Sequence, residues 1–112
     1  MHELSICRSI SRIVEQHAAG RTVQRVRLDV GHLRQVVPES LQYCWDIVVR
    51  ETALDGVPLE INHIPAVIVC RSCGALTTVT LPLFRCGSCE SVETDVVSGD
   101  ELLVTSLDLV DA

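Results

Sequence analysis

Cys70-Arg71-Ser72-Cys73 and Cys86-Gly87-Ser88-Cys89 are two C-x-x-C pairs with twelve residues between them. Two residues between cysteines let a tight knuckle turn aim both sulfurs at one ion, and twelve residues suffice to run out and back as a short hairpin. The second knuckle then completes a tetrahedron of thiolates, the arrangement of a zinc ribbon. An iron centre of the rubredoxin type uses the same four ligands, and zinc is preferred only because it is commoner. Two disulfides, or four buried thiols, are the alternative; nothing else in the chain points to an oxidising compartment. Four protein ligands close the coordination sphere, so such a site holds structure and leaves no position for substrate.

Outward from the knuckles, the pattern of the 112 residues predicts a small α+β protein. Leu4 to Ala19 reads as an amphipathic helix with Ile6, Ile10, Ile13, Val14 and His17 at helical spacing, Cys7 beside them and Gly20 as its stop. From Thr22 to Val30 the period changes to two: Val26, Leu28 and Val30 alternate with Arg25, Arg27 and Asp29, and Gly31 marks the end. Pro38 suits the first turn of a second helix whose Leu41, Cys44, Trp45 and Val48 share a face. A turn at Asp55-Gly56-Val57-Pro58 leads to a strand over Leu59–Ile64, and Glu101–Val110 is a last strand with Leu103, Leu107 and Leu109 on one side. Between them, Leu76–Phe84 and Val92–Val97 supply short strands of the ribbon.

Three one-sided strands need one apolar face covered, and two one-sided helices can cover it. The predicted architecture is therefore a two-layer module of two helices on a three-stranded sheet, residues 1–65 plus 100–112, with a zinc-ribbon subdomain inserted at 66–99.

Composition bounds the function. The net charge of −6 argues against a general nucleic-acid binder. Every basic residue is arginine and none follows Arg85, whereas seven acids run from Glu90 to Asp111; a basic partner could meet them, but a solvated strand face plus a tail accounts for them better. The apolar run Pro65–Cys70 is far too short to span a membrane, and no signal peptide is visible, so a cytoplasmic location is expected. No serine, histidine and acid grouping suggests a catalytic triad, and no glycine loop suggests phosphate binding, so no enzymatic activity is expected. Cys7 and Cys44 read as small core residues, His17 as a core-edge histidine, and His32 and His63 as either accessory metal donors or exposed, satisfied side chains.

The chain starts Met1-His2-Glu3. The Met1 amine, the deprotonated His2 amide and the His2 imidazole can close two fused chelate rings, and planar nitrogen coordination of this kind suits Ni(II) or Cu(II). Alone, a histidine at position two is weak evidence. In combination, Met1-His2-Glu3-Leu4-Ser5-Ile6-Cys7, Gly31-His32-Leu33, Val37-Pro38-Glu39-Ser40-Leu41, the paired knuckles and Gly99-Asp100-Glu101-Leu102 resemble, in order, the HypA/HybF family of hydrogenase maturation nickel metallochaperones. The resemblance implies a nickel-binding α/β domain holding Ni(II) through Met1, His2 and Glu3 as transient cargo, joined to a structural Zn(II) domain held by Cys70, Cys73, Cys86 and Cys89. It implies delivery, with a partner GTPase, to the large subunit of [NiFe]-hydrogenase, and in some members to urease maturation. Two positions depart from the family: the second knuckle usually reads Cys-Pro-x-Cys-Gly, against Cys86-Gly87-Ser88-Cys89-Glu90 here, and Arg34-Gln35-Val36 replaces a commoner Ser-Gly pair. The competing reading is a zinc-ribbon protein–protein interaction module whose first three residues are incidental.

Overall fold

The computed structural model describes residues 2–81 and 83–110, with His2 described by its backbone only. The elements run α1 (His2–Ala18), β1 (Val23–Gly31), a 3-10 turn (His32–Arg34), α2 (Pro38–Val48), β2 (Leu59–Ile64), β3 (Ala66–Cys70), β4 (Leu76–Val79), β5 (Thr94–Ser98) and β6 (Leu102–Leu109). They form two three-stranded sheets, ordered β2-β1-β6 and β4-β3-β5. Two helices and small sheets make the α+β class. By contact density the chain divides into two compact units, one of residues 1–28, 36–62 and 103–112, the other of residues 29–35 and 63–102.

In the first unit, the buried stripe of α1 is Cys7, Ile10, Val14 and Ala18, spaced three or four apart. Ile13 and His17, assigned to that stripe from periodicity, lie at its margin: both are exposed, and they line a cavity of about 270 Å³ with Val104–Leu107 of β6. The buried face is centred on Cys7, so the true stripe is rotated from the one the isoleucines suggest. In α2, Leu41 and Trp45 are buried and Cys44 and Val48 half-buried, and Val49, just past the helix end, is buried as well. Trp45 is fully enclosed, and its indole Nε1–H donates to the Val57 carbonyl at 2.8 Å, which satisfies its one polar atom in the core.

The strands behave as their alternation predicts on β1, where Val26, Leu28 and Val30 are buried. The outward Arg27 forms a bidentate pair with Asp108 of β6 at 2.8 and 3.1 Å, and both Arg25 and Arg27 reach Glu60 of β2. These groups are well exposed, so the network registers the three strands more than it stabilises them. β6 departs from expectation: Leu107 and Leu109 are half-buried, but Leu103 is 58% exposed.

In the second unit, the ribbon has a strand that alternation did not reveal. Ala66–Cys70 is a continuous apolar run, and it becomes the central strand β3, antiparallel to both β4 and β5. Ala66, Ile68 and Cys70 point inward. β4 is shorter than the apolar stretch suggested and ends at Val79. Ala66, Ile68 and Val79 form a small core against which Leu33 packs.

Candidate metal centre

The four knuckle cysteines converge. Their Sγ atoms all lie within 4.8 Å of one another, with Cys70 and Cys89 at 3.5 Å and Cys73 and Cys86 at 3.6 Å. A tetrahedral zinc with bonds of about 2.3 Å sets sulfur–sulfur edges near ~3.8 Å, so the donor set fits that ion, and all four are free thiols.

The two knuckles repeat one local geometry. In the first, the amides of Ser72 and Cys73 donate to Cys70 Sγ at 3.3 and 3.4 Å, Gly74 N–H returns to the Cys70 carbonyl, and Cys70 N–H donates to Ala75. In the second, Ser88 and Cys89 donate to Cys86 Sγ at 3.3 and 3.5 Å, Glu90 N–H returns to Cys86, and Cys86 N–H donates to Ser91. These N–H···S bonds put positive dipole on the leading sulfur of each pair. The Cys73 amide, aided by that of Ser72, draws the Cys70 thiol down to about 6, and the Cys89 and Ser88 amides lower that of Cys86. At Cys73 the Ala75 amide is the largest influence and lowers the value, but hydrogen bonding with the Cys86 and Cys70 sulfurs and burial together outweigh it, and the net direction is upward. At Cys89 the Ser91 amide is likewise outweighed, by sharing with Cys70 and the other thiols, and the value rises to about 12. Four thiols crowded together compete for protons; a divalent cation resolves that competition by taking all four as thiolates.

Each element presents its ligand for a local reason. Cys70 ends β3, so the knuckle begins where the strand's hydrogen bonding stops. The turn residue after each pair takes a left-handed conformation, Gly74 at φ 77° and Glu90 at φ 64°. Gly87, standing where the family prefers proline, donates its N–H to Thr77 Oγ1 at 3.0 Å, a bond proline lacks the proton to make. Arg71, inside the first knuckle, reaches Asp95 of β5 at 2.8 Å. Neither contact is visible from cysteine spacing.

Among the other candidates, Cys7 is fully buried with its Sγ–H on the Leu41 carbonyl at 3.4 Å, as a core residue should be. His32 and His63, thirty-one positions apart in the chain, are brought together. Of the N-terminal trio, Met1 and the side chain of His2 lie outside the described residues. The His2 backbone opens α1, and Glu3 is a half-buried acid in its first turn.

A family model described as "HypA: Hydrogenase/urease nickel incorporation, metallochaperone, hypA" matches residues 1–109. The hydrogenase maturation factor HypA of Nostoc sp. is 40% identical over 109 residues, covering 97% of this chain and 96% of the relative. That of Chlorobium limicola is 40% identical over 111 residues, covering 96% and 95%. In fold, the chain is similar to the solution structure of the nickel metallochaperone HypA from Helicobacter pylori, with a TM-score of 0.68 at 18% identity over 98% of both chains. With two helices, two small sheets and a convergent four-cysteine cluster in a chain matched along nearly its whole length, this protein belongs to the HypA family of nickel metallochaperones that serve hydrogenase maturation.

Proposed function

We propose that this chain binds Ni(II) at its N-terminus and delivers it for assembly of a nickel enzyme, [NiFe]-hydrogenase first and urease as a second client. The ligands are the Met1 amine, the His2 amide and imidazole, and Glu3 through its backbone or a nearby contact. The supporting observation is the start of α1 at His2. The first four amides of a helix have no intrahelical acceptor, so the amides of His2 and Glu3 can coordinate a metal without breaking the helix. The half-buried Glu3 lies in the same turn.

In this reading residues 1–65 and 100–112 form the nickel domain and residues 66–99 the Zn(II) domain. Contact density groups residues 29–35, 63–65 and 100–102 with the zinc-bearing unit. The protein is a carrier and not a catalyst. Energy for transfer comes from an accessory GTPase, and the acceptor is the hydrogenase large subunit or urease maturation proteins. The place of action is the cytoplasm, where the thiols remain available to a metal. Nucleic acid is not a partner, consistent with the net charge of −6. No membrane is involved; among the described residues no helix is long and apolar enough to cross one.

The test is nickel titration of the native protein beside two variants. One extra N-terminal residue converts the Met1 amine into an amide, and His2→Ala removes the imidazole. Both are expected to weaken tight nickel binding at least 100-fold with zinc content unchanged. Undiminished affinity in both variants overturns the N-terminal assignment and favours the interaction module.

A further inference from the structure

His32 and His63 face each other in the second unit, away from the four thiols in sequence and on different elements. His63 lies in β2; His32 opens the 3-10 turn that follows β1. His32 Nδ1 and His63 Nε2 are 3.4 Å apart, with the rings at 88° and their centroids 5.4 Å apart. The second nitrogen of His32, Nε2, contacts the backbone carbonyl of Thr80. A carbonyl oxygen offers only lone pairs, so Nε2 carries a proton, and in the neutral ring Nδ1 presents its lone pair to His63.

A direct hydrogen bond between the two rings fits this separation poorly, since 3.4 Å is longer than the ~2.7–3.2 Å usual for N–H donors. Two nitrogens bound to one tetrahedral zinc at about 2.0–2.1 Å stand about 3.3–3.4 Å apart. The Thr80 contact is also the partner that a metal-bound histidine needs. Donating the remote N–H to a carbonyl fixes tautomer and ring orientation, and raises the basicity of the ligating nitrogen.

The backbone holding His32 is rigid. Gly31 N–H donates to the Glu101 carbonyl and Leu33 N–H to the Gly99 carbonyl, each at 2.7 Å, so the residues on both sides of His32 are tied to the segment 99–101. Arg34 Nε–H donates to the Asp100 carbonyl at 2.7 Å. His32 is half-buried and His63 exposed, so the pair is ordered on one side and open to solvent on the other.

We propose that His32 and His63 form a second metal site, a two-imidazole site for a borderline divalent cation, with Zn(II) the best geometric match and water in the remaining positions. It is separate from the four-thiolate centre and does not use the N-terminus. Two neutral ligands and open coordination make it a weaker, faster-exchanging site than the thiolate cluster, suited to holding an ion in transit.

The experiment uses the full chain with its four-cysteine site filled and one extra N-terminal residue, so that neither the thiolates nor the amine chelate contributes. Zn(II) alone is titrated in while the imidazole nitrogens are followed by NMR. One further equivalent is expected to bind, shifting His32 Nδ1 and His63 Nε2 while the ring nitrogens of His17 stay in place. His63→Ala and His32→Ala are each expected to weaken it at least tenfold. His63→Gln, which keeps a polar group of similar reach on the strand surface, is expected to fail as a ligand equally. Absence of a further equivalent up to millimolar zinc overturns the site, as does binding that survives His63→Ala and His63→Gln. Because the N-terminus is blocked throughout, either result leaves the N-terminal nickel assignment untouched.

Discussion

Gly31 and Gly99 meet backbone to backbone, with Leu33 N–H on the Gly99 carbonyl at 2.7 Å and no room for a Cβ on either glycine. A methyl on Gly31 would overlap the Gly99 carbonyl, and one on Gly99 would overlap Ala66. The two glycines begin Gly31-His32-Leu33 and Gly99-Asp100-Glu101-Leu102, segments that resemble the family and lie 68 positions apart. Their contact explains why both motifs start with glycine.

Gly99 also sits at φ 108°, so a side chain there faces steric overlap and backbone strain together. Gly31→Ala and Gly99→Ala are each expected to cost about 2–3 kcal/mol. Gly56→Ala, at φ 78° with nothing near its Cβ, is expected to cost only about 1 kcal/mol. Urea midpoints of the three variants check the order; equal losses would show that conformational freedom alone matters.

The two departures from the family pattern both involve left-handed backbone. Glu90 follows the second knuckle at φ 64°, where the family usually has glycine, and Gln35 lies at φ 54° in the loop where a Ser-Gly pair is commoner. The matching residue of the first knuckle is Gly74. Glycine relieves about 1–2 kcal/mol of strain at such positions and returns about 0.5–1 through the greater freedom of the unfolded chain. Glu90→Gly and Gln35→Gly are therefore expected to stabilise by up to about 1 kcal/mol each. Differential scanning calorimetry measures it; a fall in Tm for both would show that these side chains contribute more than their strain costs.

Metal removal is expected to act locally. X-ray absorption of the purified protein should give one zinc per chain with four sulfurs at about 2.3 Å. Cys73→Ser or Cys89→Ala, like exhaustive chelation, should release the ion and loosen the β4-β3-β5 sheet, whose apolar cluster of Ala66, Ile68 and Val79 is small. Most of the helical circular dichroism should persist, because α1 and α2 pack around Cys7, Leu41 and Trp45 in the other unit. A shell of mainly nitrogen or oxygen would refute the thiolate centre.

Cys7 sets an alkaline limit. Burial, with smaller contributions from Cys44 and Glu3, pushes its thiol up to about 12 from an ordinary 9.0. A raised thiol favours the folded state's neutral form, so the native protein loses nothing below pH 9. Above it the unfolded chain ionises first, and stability falls as pH rises from 9 towards 12, by at most about 1.4 kcal/mol per unit. In Cys7→Ala that slope is expected to flatten even though the smaller side chain lowers stability at every pH. Urea midpoints between pH 8 and 11 for both proteins decide it, and parallel curves would assign the alkaline loss to other groups.

Much of this protein was legible without coordinates because its decisive signals are local. Each knuckle holds its own two sulfurs together through a two-residue turn, and the twelve residues between the pairs suffice for a hairpin that lets both face one ion. The period-two alternation of Val26, Leu28 and Val30 dictates a one-sided strand, and Pro38 opens a helix by its fixed φ. What stayed hidden depends on contacts between distant segments. Ala66–Cys70 has no polar alternation to read, because the outward-facing Val67 and Val69 are themselves apolar and half-buried. The stripe of α1 is centred on Cys7 and not on Ile13 because the packing of α2 decides which side of the helix is covered. The Thr77 bond to Gly87, the meeting of Gly31 with Gly99, and the approach of His32 to His63 join residues 10, 68 and 31 positions apart. No spacing rule reaches across a chain turn whose direction is set by packing, so the sequence alone determined the four cysteines that cluster and most of the element types, and the tertiary structure decided which side chains meet.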